Sequence, residues 1–336
     1  MADFIPIPSN PTPAGAEALA FAGDDGTTLR GALFPKDGAR GTAVVLGGRS
    51  EFIEKYFEVV GDLHARGFAA ASMDWRGQGL SERALEDQRA GHVGDFGAFQ
   101  SDLSRFVETI VKPRLPGPYV LLTHSMGGLP ALRLLADGDA TFAAAALCAP
   151  MTRLFEHPLK RLGVRMLARG ASRFGAERAK IVGVREFSIE FEGNALTSDL
   201  ARHTRFRELQ EARPEAAIRQ PTYGWLRAAT DAMDDIHKKG RFARLRTPTL
   251  LVSAGADEIV RSSDHSTIAA ASPLIEIVTV DGALHEIMME RDEFRDRYWA
   301  AVDAFLARHL PPAEASAERS ERLSADGSFR AGHRLR

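Results

Sequence analysis

The feature that most constrains this chain is a series of short apolar runs that do not alternate with polar residues: Thr42 to Leu46, Phe68 to Met73, Tyr119 to Thr123 and Phe142 to Cys148. A strand with one wet face alternates, whereas a strand covered on both faces reads as unbroken apolar sequence, as at the centre of a parallel sheet. Segments with helical spacing lie between the runs, around Glu54 to Arg66, Phe96 to Val111 and Leu129 to Ala136, and are long enough to serve as right-handed crossovers. The pattern predicts a βαβ succession. Ahead of it, Ala18 to Phe21 and Thr27 to Phe34 flank Asp24-Asp25-Gly26, a hairpin turn signal, so the sheet is expected to open antiparallel.

From about Met151 to Ala243 the alternation of elements stops, and the stretch reads as helices and loops rich in arginine with no clear buried strand. It resumes with strands at Thr249 to Ser253 and Ile275 to Val280, a helix near His265 to Ala271 and a last helix from Arg291 to His309. The expected organisation is an extended segment 1–16, an α/β core made of 17–150 and 244–310, a helical insertion 151–243, and a tail 311–336. That tail carries few large apolar residues and is expected to be disordered.

Composition narrows the function. Hydrophobic residues make up 44% and charged residues 26%, ordinary for a globular protein, which argues against collagen-like, coiled-coil or largely disordered chains. A formal charge of -2 gives no global basis for gripping phosphate backbones, so no nucleic-acid partner is expected. The single cysteine, Cys148, has no internal partner and should pack as a small hydrophobe in a reducing compartment. Met1 to Ala16 lacks a basic start and a long apolar run, and Pro6, Pro8, Pro11 and Pro13 would break a signal helix. No stretch approaches the roughly 18 apolar residues that span a bilayer, so the chain is expected to be cytoplasmic, with any membrane contact peripheral at the inner surface.

Chemistry enters at Leu121-Leu122-Thr123-His124-Ser125-Met126-Gly127-Gly128, where an apolar strand runs into a serine, two glycines and a helix. A serine on a sharp strand-to-helix turn exposes its hydroxyl at the carboxyl end of the sheet, and small residues nearby relieve clashes in the strained turn. The Met126 backbone N–H, at the helix N-terminus, is then placed to donate to an oxyanion. The usual pattern is G-x-S-x-G, and Thr123 stands in place of its first glycine. A serine turn that merely caps a helix would read the same way. A second donor is expected from the loop after an earlier strand, Gly47-Gly48-Arg49-Ser50, and is assigned to the Arg49 backbone N–H, with Gly48 or Ser50 selected by a one-residue offset. An ordinary Gly-rich turn explains that segment equally well.

A hydroxyl needs a base to become a nucleophile at neutral pH, and two late loops offer one. The strand ending at Ser253 runs into Ala254-Gly255-Ala256-Asp257-Glu258, and the strand ending at Val280 runs into Asp281-Gly282-Ala283-Leu284-His285-Glu286. Ser125, Asp257 and His285 then share one sheet edge as nucleophile, orienting acid and base, with Glu258, Asp264 and Asp281 as competing acids. Taken singly, His285 reads as well as a structural loop histidine.

These residues carry a family resemblance over roughly Ala14 to His309. The chain resembles the bacterial lysophospholipase and monoacylglycerol lipase group of the α/β-hydrolase superfamily, which is also similar to serine aminopeptidases. The segment Asp74-Trp75-Arg76-Gly77-Gln78-Gly79-Leu80-Ser81 is the most specific match; Gly47-Gly48-Arg49 with Tyr56 resembles the group's oxyanion loop, and Gly47 stands where many relatives carry histidine. The resemblance implies an α/β-hydrolase fold, a mostly parallel sheet with helices on both faces, and a helical cap at 151–243 that covers the serine. It implies a serine hydrolase of carboxylic esters, with a lysophospholipid or monoacylglycerol-like lipid as substrate and no metal or other cofactor. Gly48, His124 and Trp225 are expected to contact substrate. Within the cap, Arg161, Arg165, Arg169 and Arg173 recur every fourth residue and Leu159, Leu162, Met166 and Leu167 occupy another face. Such a helix suits either contact with anionic headgroups or a solvated basic face over an apolar underside. An aminopeptidase would instead need cap carboxylates such as Glu190, Glu192 or Asp234 to hold an amine. A binding protein that retains the fold is the non-catalytic alternative.

Overall fold

The computed structural model describes residues 3–154, 157–184 and 189–310. In chain order its elements are β1 (Glu17–Ala22), β2 (Thr28–Phe34), β3 (Thr42–Leu46), α1 (Phe57–Ala65), β4 (Ala69–Met73), β5 (Ala90–Gly91), α2 (Gly97–Phe106), β6 (Tyr119–His124), α3 (Gly128–Ala136) and β7 (Phe142–Cys148). There follow α4 (Pro158–Arg173), α5 (Leu200–Ala212), β8 (Gln220–Pro221), α6 (Tyr223–Ile236), β9 (Thr249–Ala254), α7 (His265–Ala269), β10 (Ile275–Val280) and α8 (Asp292–His309). Eight strands form one sheet in the order β1-β2-β4-β3-β6-β7-β9-β10. Its first two pairings, β1 with β2 and β2 with β4, are antiparallel, and all later ones are parallel.

Successive side chains of a strand point to opposite faces, and here both faces are covered. Val44 and Leu46 join one apolar layer with Leu121, while Ala43 and Val45 join the other with Val120 and Leu122. That is why the central runs show no alternation. Each large aliphatic side chain buried this way contributes about 1.5–3 kcal/mol. The eight strands expected from the sequence are the eight in the sheet. The two-residue ladder of β5 with β8, Ala90 against Gln220 and Gly91 against Pro221, was not foreseen, because two residues carry no periodicity.

Helices α4, α5 and α6 occupy the stretch 151–243. The pattern of α4 differs from the expectation. Leu159, Leu162, Met166 and Leu167 are exposed, by 50–71%, instead of forming an underside. Arg165 reaches Asp234 at 2.5 Å and Arg169 reaches Asp231 at 2.6 Å, both on α6, so these arginines fasten the helix and turn its apolar residues outward. Helix α6 buries Trp225, Leu226, Ala228, Ala229, Ala232, Met233 and Ile236, and its apolar face joins the same layer as Leu129 and Leu132 of α3. The tail 311–336 lies outside the described residues. No helix among them is long and apolar enough to cross a membrane.

Candidate active site

Strand β6 ends in a turn that holds Ser125 at φ +49°, in the left-handed region that non-glycine residues occupy only at a cost of about 1–3 kcal/mol. Surrounding close contacts over-determine this conformation. A Cβ on Gly127 would lie 2.5 Å from the Gly47 carbonyl oxygen, and one on Gly48 would lie 3.0 Å from Ser125 Cβ, so the loop after β3 passes directly across the serine. The tightness sits after the serine, which is why Thr123, fully buried in β6, is accommodated where the common pattern has glycine.

His285, after β10, accepts the Ser125 hydroxyl at Nε2 at 2.8 Å, and its Nδ1–H donates to Asp257 Oδ2, also at 2.8 Å. Because a carboxylate only accepts, Asp257 fixes the proton on Nδ1 and leaves the Nε2 lone pair facing Ser125. Asp257 is itself pinned by the N–H groups of Ile259 and Val260 at 2.8 and 3.0 Å. Burial alone would raise its carboxyl, but His285 and these donors outweigh burial and hold it below the usual range. Burial lowers the His285 pKa from 6.5, the Asp257 bond opposes this, and the charge on His124 pushes the same way as burial. The competing acids stand elsewhere: Asp264 pairs with His237 at 2.9 Å, while Glu258 and Asp281 are exposed.

Of the backbone N–H groups assigned as oxyanion donors, Met126 and Arg49, that of Arg49 bonds to no acceptor among the described residues. Both neighbourhoods are braced by the segment Asp74 to Ser81. Gln78 accepts from the Ser50 N–H at 2.8 Å and reaches Met126 Sδ at 3.7 Å, and Trp75 Nε1 donates to the Gly47 carbonyl at 2.8 Å. Asp74 takes the Ile53 N–H at 2.9 Å and Arg30 at 2.7 Å, closing a buried cluster that includes Glu54. The segment most specific in sequence therefore acts as a clamp on the loop and on the turn.

His124 requires a correction. It was expected to contact substrate, but it is 3% exposed and lies behind the serine, with its Nδ1–H donating to Glu51 at 2.9 Å and its Nε2 at 3.3 Å from the His285 carbonyl. Acceptors on both ring nitrogens favour the imidazolium; burial works against the charge, and Glu51 outweighs burial to raise the pKa. Glu51 also accepts from Lys55 Nζ at 2.8 Å, from Tyr56 Oη at 2.5 Å and from the Gly48 N–H, while Lys55 reaches Glu286 at 2.5 Å. Sequence reasoning missed this buried network. Its signal was present as Glu51 and Lys55 one helical turn apart, just after the glycine loop. Gly48 flanks Ser125, and Trp225, on α6, is 6% exposed with the Arg49 guanidinium 4.9 Å from its ring centroid.

A cleft of about 190 Å³ lies between α4 and α6, lined by Arg153, Leu154, Leu162, Arg165 and Met233 among others. Arg153 is two residues from Met151, whose N–H donates to the Ser125 carbonyl at 2.9 Å. Ser125 is 8% exposed, so little of it is open to solvent in this form. No cluster of histidine, cysteine and carboxylate side chains suited to a metal occurs among the described residues.

Comparisons with known proteins agree with this arrangement. Residues 37–292 match the family model described as serine aminopeptidase, S33. The chain is 31% identical over 305 residues to lysophospholipase L2 of Escherichia coli, covering 87% of this chain and 88% of that one. It is 24% identical over 274 residues to a probable lysophospholipase L2 of Haemophilus influenzae, covering 81% and 85%. Among solved structures, a soluble variant of the monoglyceride lipase of Saccharomyces cerevisiae superimposes with a TM-score of 0.70 at 19% identity, covering 91% of this chain and 99% of that one. A carboxyl esterase of Bacillus coagulans does so with the same TM-score at 17% identity, covering 88% and 99%.

Proposed function

The chain belongs to the serine aminopeptidase (S33) family of α/β-hydrolases, and from that premise we propose that it cleaves the carboxylic ester of a lysophospholipid through an acyl-serine intermediate. The observation that carries the reading is the unbroken relay from Asp257 through His285 to Ser125, with both links at 2.8 Å. Similarity along most of the chain to a lysophospholipase supports the ester and the lipid.

In this reading Ser125 Oγ attacks the ester carbonyl as its proton passes to His285 Nε2. The Met126 and Arg49 N–H groups hold the oxyanion, each donor contributing about 2.7–4 kcal/mol to the transition state. Collapse breaks the ester C–O bond, and His285 returns the proton to the departing alcohol. Water, deprotonated by the same nitrogen, then attacks the acyl-serine, and the second collapse restores Ser125 and releases the fatty acid. A depressed His285 pKa keeps the base neutral and available at neutral pH.

The outward apolar residues of α4, together with Phe174 at 87% exposure, are the surface by which the cap would rest on a lipid aggregate or a membrane. The aminopeptidase reading finds less support: Asp234 is engaged by Arg153 and Arg165, and Glu190 and Glu192 are exposed.

The test is hydrolysis of lysophosphatidylcholine, monoacylglycerol, a short-chain ester and an aminoacyl amide by wild type and Ser125→Ala, with fluorophosphonate labelling of both. Ser125-dependent cleavage of the long-chain esters is expected. Preference for the amide, or turnover that survives in Ser125→Ala, would overturn the assignment.

A further inference from the structure

The oxyanion loop carries a side chain that its backbone role does not explain. Arg49 Nε and Nη2 are shut off from solvent and have no hydrogen-bond partner among the described residues, and Nη1 makes a 3.2 Å contact to Ser50 Oγ. Burial pushes the guanidinium down to about 10, with no neighbouring carboxylate to restore it, so it remains cationic at neutral pH. Two other buried cations in this part of the fold have carboxylates: Arg30 has Glu54 and Asp74, and Lys55 has Glu51 and Glu286. Beside Arg49, Trp225 Nε1 is a further buried donor without an acceptor. The indole and the guanidinium in contact thus present three nitrogen donors unanswered among the described residues, where buried polar groups are otherwise almost always paired.

The location gives the donors a purpose. The Arg49 guanidinium lies against the Trp225 ring, and its Nη2 and Ile218 Cδ1 crowd the Gly91 α-carbon so closely that an added Cβ there would sit 2.6 Å from each. It therefore stands at the seam where the oxyanion loop meets β5, Ile218 and α6. One residue back, Gly48 touches the serine.

We propose that Arg49, with Trp225 Nε1, is the anchor for the phosphodiester of a lysophospholipid substrate bound at Ser125. The proposal rests on the ester-hydrolase reading above and deepens it. A planar guanidinium presents a fork matched to two phosphate oxygens, and an anion supplies the acceptors that the closed form lacks. Only the glycerol backbone separates the scissile ester from the phosphate, a reach comparable with one arginine side chain, so an ester carbonyl at Ser125 places the phosphate at the seam. Because the fork is shut off from solvent here, phosphate binding requires Arg49 or Trp225 to move aside.

The test compares kcat/KM for lysophosphatidylcholine and for monoacylglycerol of the same acyl chain in wild type, Arg49→Met and Arg49→Lys. The phosphate-bearing substrate should lose its advantage by about tenfold or more in Arg49→Met, and by less in Arg49→Lys, which keeps the charge but not the fork. Equal losses on both substrates would overturn the proposal and leave the hydrolase reading standing. A second measurement is independent of turnover and of that reading. Binding of sn-glycero-3-phosphocholine to Ser125→Ala, followed by phosphorus NMR, should weaken at least tenfold on adding Arg49→Met; unchanged binding would sink the idea. Should Arg49→Met fail to fold, the same comparison with Arg49→Lys decides. Inorganic phosphate that competes as strongly as glycerophosphocholine would assign the donors to free phosphate and overturn the lipid assignment.

Discussion

Replacing Glu51 by glutamine would change one atom type in a side chain that is 5% exposed, without opening a cavity, and so isolates the charge. Four donors converge on this carboxylate: Lys55, His124, Tyr56 and the Gly48 N–H. An amide accepts at one oxygen only and aims an N–H₂ at two of those donors, so two hydrogen bonds are lost and two like dipoles face each other. At about 1.5–3 kcal/mol for each bond to a charged group, and with broken buried pairs generally costing about 3–5 kcal/mol, the expected destabilisation is about 3–5 kcal/mol. Thermal unfolding should report it as a midpoint lowered by roughly 5–10 °C. Catalysis should suffer separately, because Gly48 loses the anchor that holds its loop against Ser125. A displaced oxyanion donor lowers kcat by about 10²–10³, with KM little changed. Lys55→Met in the same background should recover part of the stability, since it removes the cation that Glu51 balances. A Glu51→Gln protein that unfolds at the wild-type midpoint and turns over at the wild-type rate would refute the network.

Other consequences can be checked directly. Asp257→Asn should lower kcat by about 10⁴ through the wrong imidazole tautomer, while Glu258→Gln and Asp281→Asn stay near wild type in the same ester assay. The acidic limb of kcat/KM should lie below pH 6.5, because burial lowers the His285 pKa; a limb above 6.5 would contradict the burial. The stability linkage has the same sign. An unfolded histidine binds its proton more readily than buried His285, so this residue's contribution is complete above pH 6.5 and declines as pH falls through the folded value. Asp257, held below 3.8, adds stability present above that pH and lost as pH falls further, measurable as a midpoint against pH. Cys148, fully buried with its thiol pushed well up by desolvation, should resist maleimide in the native protein and react on denaturation; labelling of the folded chain would argue against the packing of β7.

The sheet was legible because both faces of its central strands are apolar, which gives each run a length and composition that helices do not imitate. Ser125 and His285 were legible because each stands where a strand stops. Asp257 could be separated from Glu258, Asp264 and Asp281 only by geometry, since loop boundaries slip by a few residues and the deciding quantity is a 2.8 Å contact. What escaped was non-local. Glu286 meets Lys55 across 231 positions of chain, and no spacing in sequence announces that pair. His124 was misread for a related reason. Its position beside the serine suggests exposure, yet at the end of a buried strand a side chain next to an outward hydroxyl points back into the protein. The face of α4 was misread because the partners of its arginines are on α6, some sixty-five residues away.

The packing of α6 on α3 bears on how such chains diversify. This helix lies within the stretch between β7 and β9, two strands that are neighbours in the sheet, and it supplies part of the apolar layer over them. A recombination event that exchanged everything from Met151 to Ala243 would remove the α6 part of that layer and leave α2 and α3 to cover the face. One that ended at Pro221 would keep the crossover helix with its native support, retain Trp225, and import only α4 and α5. Sequence change can therefore accumulate in the first two helices at little cost to the scaffold, whereas α6 is held by the core it covers.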